Sequence, residues 1–224
     1  MKRSEINRVI REAIAFFEER QFALPRWAYW SPLEWKRRAG RIAEIIECRL
    51  GWDITDFGSG DFRKVGLVNL NLRNGSPGNG SKPYSEKILL VQEEQVTPFH
   101  THYTKREDII NRGGGNLVVE LYKADDRFNF TDEPVIVRID AIPRTVPPGG
   151  SVTLTPGESI FLEPGVFHKF HGQAGSGAVL VGQVSSVNDD EADNVFYTAS
   201  PRFPDVIEDE EPQYLLVNDY ARFL

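Results

Sequence analysis

Apolar residues recur at helical spacing at the start of the chain. Ile6, Val9, Ile10, Ala13, Ile14, Phe16 and Phe17 share one face, while Arg8, Arg11, Glu12, Glu18 and Glu19 take the other. This predicts an amphipathic helix capped by Ser4. A second start lies at Ser31-Pro32-Leu33-Glu34: a capping serine, proline at the first helical position, and glutamate three after the cap. That helix should run through Trp35 toward Gly40, with another over 41–49 ending before Gly51.

From about residue 52 the pattern changes to short β-prone runs, at 65–72, 87–91, 97–102, 117–122, 135–139, 151–154, 159–162 and 178–186. Turn residues separate them, at 74–80, 113–115, 147–150 and 156–157. Many short strands between glycine and proline turns predict a sandwich or barrel, not alternating βα units. The expected architecture is mainly β. Residues 52–224 form one barrel with the C-terminal segment docked on it, and residues 1–51 form a helical extension packed against it.

Composition mostly excludes partners. The chain has 224 residues and a formal net charge of −7, which a nucleic-acid backbone would repel. One cysteine, Cys48, cannot close a disulfide within the chain, so the fold needs no oxidising compartment. The basic N-terminus is interrupted by Arg and Glu too often to hold the apolar core of a signal peptide. No run approaches the roughly 20 apolar residues of a membrane span. A cytoplasmic protein is expected. The aromatic residues Phe16, Phe17, Phe22, Trp27, Trp30 and Trp35 fit either a homodimer interface or a cover for the barrel.

The histidines carry the candidate chemistry. The chain has four, in two tight pairs: His100 with His102, and His168 with His171. On a strand, residues i and i+2 face the same way, so His100 and His102 project together. Glu107, five residues on, would face away unless 103–106 turns the chain and returns it on an adjacent strand. If His168 joins them, three imidazoles and one carboxylate surround a divalent cation. That set suits Mn²⁺, Fe²⁺, Co²⁺, Ni²⁺ or Zn²⁺ and not Ca²⁺, which prefers oxygen. His171, three residues from His168, falls on the opposite face. Taken alone, His-x-His fits two surface imidazoles about as well as a metal.

The spacing His100-x-His102-x4-Glu107-x6-Gly114 resembles the first motif of the cupin superfamily, and Gly157-x5-Glu163-x-Gly165-x2-His168 resembles the second. Three positions depart from the pattern: Glu94 where a glycine usually opens the first motif, Glu163 where proline is usual, and Gly172 where asparagine often closes the second. The runs 100–116, 164–170 and 184–189, with the helical extension, are similar to the cupin-type D-lyxose isomerases over nearly the whole chain. That resemblance implies a jelly-roll barrel with manganese held by His100, His102, Glu107 and His168. It also implies interconversion of D-lyxose with D-xylulose, and of D-mannose with D-fructose, through a cis-enediol.

Lys87 and Lys105 match positions of the family's sugar pocket, and Lys105 is also a candidate for the chemistry. Gln183 stands where an acid is expected. Either it binds substrate without an acid–base role, or Asp189 or Asp193 carries that role nearby; otherwise Glu107 is the base. A neutral pentose or hexose is the expected ligand. An iron-dependent cupin dioxygenase and a non-catalytic, metal-containing sugar-binding cupin are the competing readings.

Overall fold

The computed structural model describes residues 1–76 and 82–224; residues 77–80 of the expected glycine-rich turn lie outside them. Helix α1 spans Arg3–Glu19. It starts earlier than Ser4, with Lys2 at the cap position and no side-chain cap. Ser4 instead donates its hydroxyl to Asp209 Oδ2 at 2.7 Å. Helix α2, Pro32–Arg38, begins with the expected reciprocal Ser31–Glu34 capping box. Helix α3 is a short turn over Ala43–Glu47.

The strands follow. They are β1 (Gly51–Thr55), β2 (Leu67–Arg73), β3 (Tyr84–Val91), β4 (Thr97–His102) and β5 (Glu107–Gly114). Next come β6 (Leu117–Lys123), β7 (Val135–Ile139), β8 (Ile142–Val146) and β9 (Ser151–Leu154). The last four are β10 (Ser159–Leu162), β11 (Val166–Gly172), β12 (Val179–Ser186) and β13 (Asn194–Phe196). They form two antiparallel sheets, ordered β1-β2-β3-β12-β5-β10-β7-β8 and β13-β4-β11-β6-β9. Their inner faces pack Leu89, Leu121, Leu154, Ile160 and Val181 into one core.

The outer face of the larger sheet is apolar as well. Val68, Leu70, Ile88, Leu90 and Leu180 meet Ile6, Val9, Ile10, Ala13 and Phe17 of α1. Phe17 stacks on Trp52 of β1 with centroids 6.4 Å apart. Each large side chain buried there stabilises the fold by about 2 kcal/mol. The helical extension therefore seals a sheet face that would otherwise be wet. Trp35 closes a third cluster with Leu215, Val217 and Tyr220.

Beyond β13 the chain returns as a strap along the N-terminal end of α1. Arg3 N donates to Ile207 O at 2.8 Å, and its buried guanidinium pairs with Glu208 and Asp219, each at 2.8 Å. The chain closes with helix α4, Tyr220–Phe223, where the Tyr220 hydroxyl donates to Leu50 O at 2.6 Å. Among the described residues no helix is long and apolar enough to cross a membrane.

Candidate metal centre and adjoining pocket

Strand parity sets the imidazoles. His100 and His102 face the barrel interior from β4, with Phe99 and Thr101 on the other side. Strand β11 pairs antiparallel with β4 and puts His168 directly opposite His100. His171 points outward from β11, its Nε2 3.9 Å from Glu120 Oε1.

Glu107 arrives differently from the sequence expectation. It opens β5, which belongs to the other sheet, so it faces the imidazoles across the interior and not from an adjacent strand. The crossing turn is shaped by Asp193, which accepts from Thr104 N and Oγ1, both at 2.8 Å, and from Lys105 N at 3.0 Å. Candidate ligand atoms of His100, His102, Glu107 and His168 all lie within 4.8 Å of one another.

The polar atoms at this point of convergence fit a cation. His100 Nδ1 lies 2.8 Å from Pro98 O and His168 Nδ1 lies 3.2 Å from Val166 O. Donation there leaves each Nε2 a lone pair, the tautomer a metal requires. Yet His168 Nε2 stands 3.0 Å, and His102 Nε2 3.4 Å, from Glu107 Oε1. All three of these atoms are buried with no hydrogen-bond partner. Lone pairs facing one another in a dry interior are unfavourable unless a positive charge sits among them.

Burial, with His168 and His102 beside it, holds His100 well below the usual imidazole range. Burial and then the Lys105 ammonium push His102 down to about 4. Both rings are therefore neutral at physiological pH, ready to donate. Burial would raise the Glu107 carboxyl, but Lys105 and His102 outweigh it and hold the group well below the ordinary range. Three imidazole nitrogens and one carboxylate suit a divalent transition metal.

The second Glu107 oxygen is held from another side. Oε2 accepts Lys105 Nζ at 3.0 Å and the Gln183 amide from β12. Lys105 Nζ also lies 3.4 Å from Asn188 Oδ1. Lys87, buried on β3, is 3.4 Å from Asp190, whose carboxylate accepts from Asn188 Nδ2 at 2.8 Å. These groups border a cavity of about 540 Å³, including its solvent-open part.

Of the expected site residues, the three imidazoles, Glu107, Lys87, Lys105 and Gln183 border this cavity, and Asp189 and Asp193 do not. Asp189 Oδ1 accepts from Glu191 N and Ala192 N, both at 3.0 Å, and so closes a turn. Its neighbour Asp190 faces inward instead. Further polar residues at the cavity were not singled out from sequence, among them Asn69, Asn194 and Arg202. Arg202 pairs with Asp53 of β1, one contact being 3.2 Å. Asp53, flanked by Trp52 and Ile54, was the available signal, because a carboxylate inside a buried strand requires a counter-cation.

The comparisons agree in kind. A family model described as D-lyxose isomerase matches residues 1–220. The chain is 46% identical over 227 residues to a protein of Serratia proteamaculans named D-lyxose/D-mannose isomerase, covering 100% of both chains. It is 45% identical over 226 residues to one of the same name from Escherichia coli O157:H7, again over 100% of both.

Among solved structures, a mutant L-ribose isomerase of Acinetobacter sp. DL28 in complex with L-ribose superposes with a TM-score of 0.59 at 14% identity, covering 93% of this chain and 98% of that one. The L-ribose isomerase of Cellulomonas parahominis with L-ribose gives 0.57 at 14% identity, over 92% and 98%. At such identities the likeness is one of fold.

Proposed function

The chain belongs to the D-lyxose isomerase family and is an aldose–ketose isomerase; we propose that His100, His102, Glu107 and His168 hold its divalent cation and that Lys87 and Lys105 bind its sugar. The substrate pairs are D-lyxose with D-xylulose and D-mannose with D-fructose, and family membership displaces the dioxygenase and sugar-binding readings. The observation that carries the site assignment is the cluster of unpartnered imidazole and carboxylate atoms beside two buried lysines.

Isomerisation moves one proton from C2 of the aldose to C1 through a cis-enediol, while the hydroxyl proton shifts between O2 and O1. When bound, the cation supplies Lewis acidity to the two oxygens at those carbons. The remaining work belongs to side chains. In this reading Glu107 takes the C2 proton and returns it to C1 on the same face. Lys105, 3.0 Å from Glu107 Oε2, supplies positive charge to the developing enediolate. Gln183 fixes the carboxylate rotamer through its amide. Asp193 acts one step removed, by holding the turn that presents Lys105 and Glu107.

Manganese is the proposed ion, supported by the mixed nitrogen and carboxylate donor set. A cytoplasmic homodimer is the proposed state. Exposed Ile136 and Ile142, on the β7–β8 hairpin at the sheet edge, favour self-association.

The test is conversion of D-lyxose by manganese-loaded protein in D₂O, followed by NMR of the ketose. Wild type should place deuterium at C1 of D-xylulose or transfer the C2 hydrogen there. Glu107→Gln should do neither; activity of this variant with metal bound would remove Glu107 from the role. Light scattering tests the dimer.

A further inference from the structure

The turn after β12 reaches the wall of the cavity from behind, through one amide. Asn188, two residues beyond that strand, is buried but does not border the cavity. Its Oδ1 accepts from Lys105 Nζ at 3.4 Å, and its Nδ2 donates to Asp190 Oδ2 at 2.8 Å. Lys105 and Asp190 both border the cavity. A single neutral side chain therefore backs two wall residues of opposite charge.

The chemistry of the two neighbours fixes that amide. An ammonium only donates and a carboxylate only accepts, so the oxygen faces Lys105 and the nitrogen faces Asp190. No ionised side chain could serve both: a carboxylate at 188 would repel Asp190, and a cation would repel Lys105. An apolar side chain would leave both unpaired on this side. The Lys105 ammonium has three hydrogens. Glu107 Oε2, at 3.0 Å, takes one and Asn188 takes another, which leaves the third for a ligand. Burial would raise the Asp190 carboxyl, but Lys87 and Arg202, then Lys105 and Asn188, outweigh it and keep it ionised.

The backbone of Asn188 is clamped independently. Asn74, the residue after β2, accepts from Asn188 N on Oδ1 and donates to Asn188 O from Nδ2, each at 2.9 Å. Its Nδ2 also lies 3.4 Å from Cys48 O, which ties the clamp to the turn after α3. Asn74 is buried, and all of these side-chain bonds go to backbone. The two segments are pressed together beside it: a Cβ at Gly75 would fall 1.9 Å from Lys82 O and 2.9 Å from Val187 Cγ2.

We propose that Asn188 is a positioning residue of the isomerisation, setting the Lys105 ammonium and the Asp190 carboxylate together, and that Asn74 holds it in register from outside the cavity. This rests on the isomerase reading given above. Asn188 acts on turnover through Lys105 and on sugar affinity through Asp190, and touches neither the substrate nor the metal ligands. Asn74 acts one step further away, through the backbone of Asn188.

The test is a double-mutant cycle on manganese-loaded protein, with bound metal measured for each variant. Asn188→Ala should lower kcat for D-lyxose about tenfold, the weight of a hydrogen bond to a buried charged group, with manganese content unchanged. Lys105→Met should lower kcat at least as far. Adding Asn188→Ala to Lys105→Met should then cost nothing more in kcat, because the amide has no ammonium left to orient. A packing defect would multiply with the loss of Lys105.

The Asp190 limb is read without turnover. Calorimetry with D-arabinitol, the alditol of D-lyxose, should show about tenfold weaker binding to Asn188→Ala than to wild type. Asn74→Ala should reproduce both effects in smaller measure, about threefold each, and carries the same cycle should Asn188→Ala fail to fold. Unaltered kcat and alditol affinity, or losses that multiply with Lys105→Met, overturn the assignment. Failure of wild type to convert D-lyxose would instead count against the isomerase reading, with the alditol measurement still reading the role of Asn188.

Discussion

The side-chain amide of Gln183 donates to Glu107 on Oε2, the oxygen turned away from the imidazoles. With Lys105 on the same atom, Oε1 alone is left to face His102 and His168. Gln183→Leu removes a neutral donor and leaves the ligand set intact. Activity should fall roughly 10- to 100-fold, as when an outer hydrogen-bond partner of a metal ligand is lost. Elemental analysis beside steady-state kinetics checks this; unchanged turnover would make the contact incidental.

Both ring nitrogens of His102 are buried and lack a hydrogen-bond partner. His102→Ala should abolish stoichiometric metal binding, with activity down by at least about a hundredfold. Retention of a full equivalent of manganese after dialysis would show that the first motif does not ligate.

Without metal, acid should weaken the fold earlier than it does in an ordinary β-barrel. Buried His102, lowered to about 4, and His100, lower than usual for the same reason, stay neutral in the folded chain. Unfolded imidazoles protonate near 6.5, so between about 6.5 and 4 the unfolded state binds more protons and stability drops as pH falls. For His102 this amounts to about 3 kcal/mol at the lower end, or roughly 6–12 °C in melting temperature. Thermal scans of chelator-treated protein across this range would show it. A flat profile would mean the imidazoles are more hydrated than their burial indicates.

Asp193 holds the turn between the sheets through three hydrogen bonds. Asp193→Ala should destabilise the protein by about 2–4 kcal/mol, because backbone donors of the turn lose an ionised acceptor. It should also weaken manganese, since Glu107 follows directly from that turn. Urea denaturation and a metal titration separate the two effects.

Sequence reading located the strands at 97–102, 135–139, 151–154 and 159–162 to the residue, because each is a short run bounded by turn formers. It missed β1, which is buried along its whole length and carries an aspartate among apolar residues, so neither alternation nor composition marks it. It missed β8 for the opposite reason: the strand is exposed and contains Pro143, as edge strands tolerate.

Parity put His100 and His102 on one face and His171 opposite to His168, but the sheet that carries Glu107 is a matter of topology, which spacing does not encode. The same limit separated Asp189 from Asp190, since adjacent residues in a turn have no fixed face. Glu94, standing where the first cupin motif favours glycine, adopts φ 57°, so the backbone of that motif is kept at the expense of local strain.

The pairing of Arg3 with Glu208 and Asp219 joins residues 205 and 216 positions apart. During synthesis α1 is made first, and its buried guanidinium has no counter-charge until almost all of these residues have been added. The metal ligands, all complete by His168, precede that closure. The strap with Arg202 thus assembles on a barrel that already holds its reactive centre, and the outer end of the pocket is the last part of the enzyme to take shape.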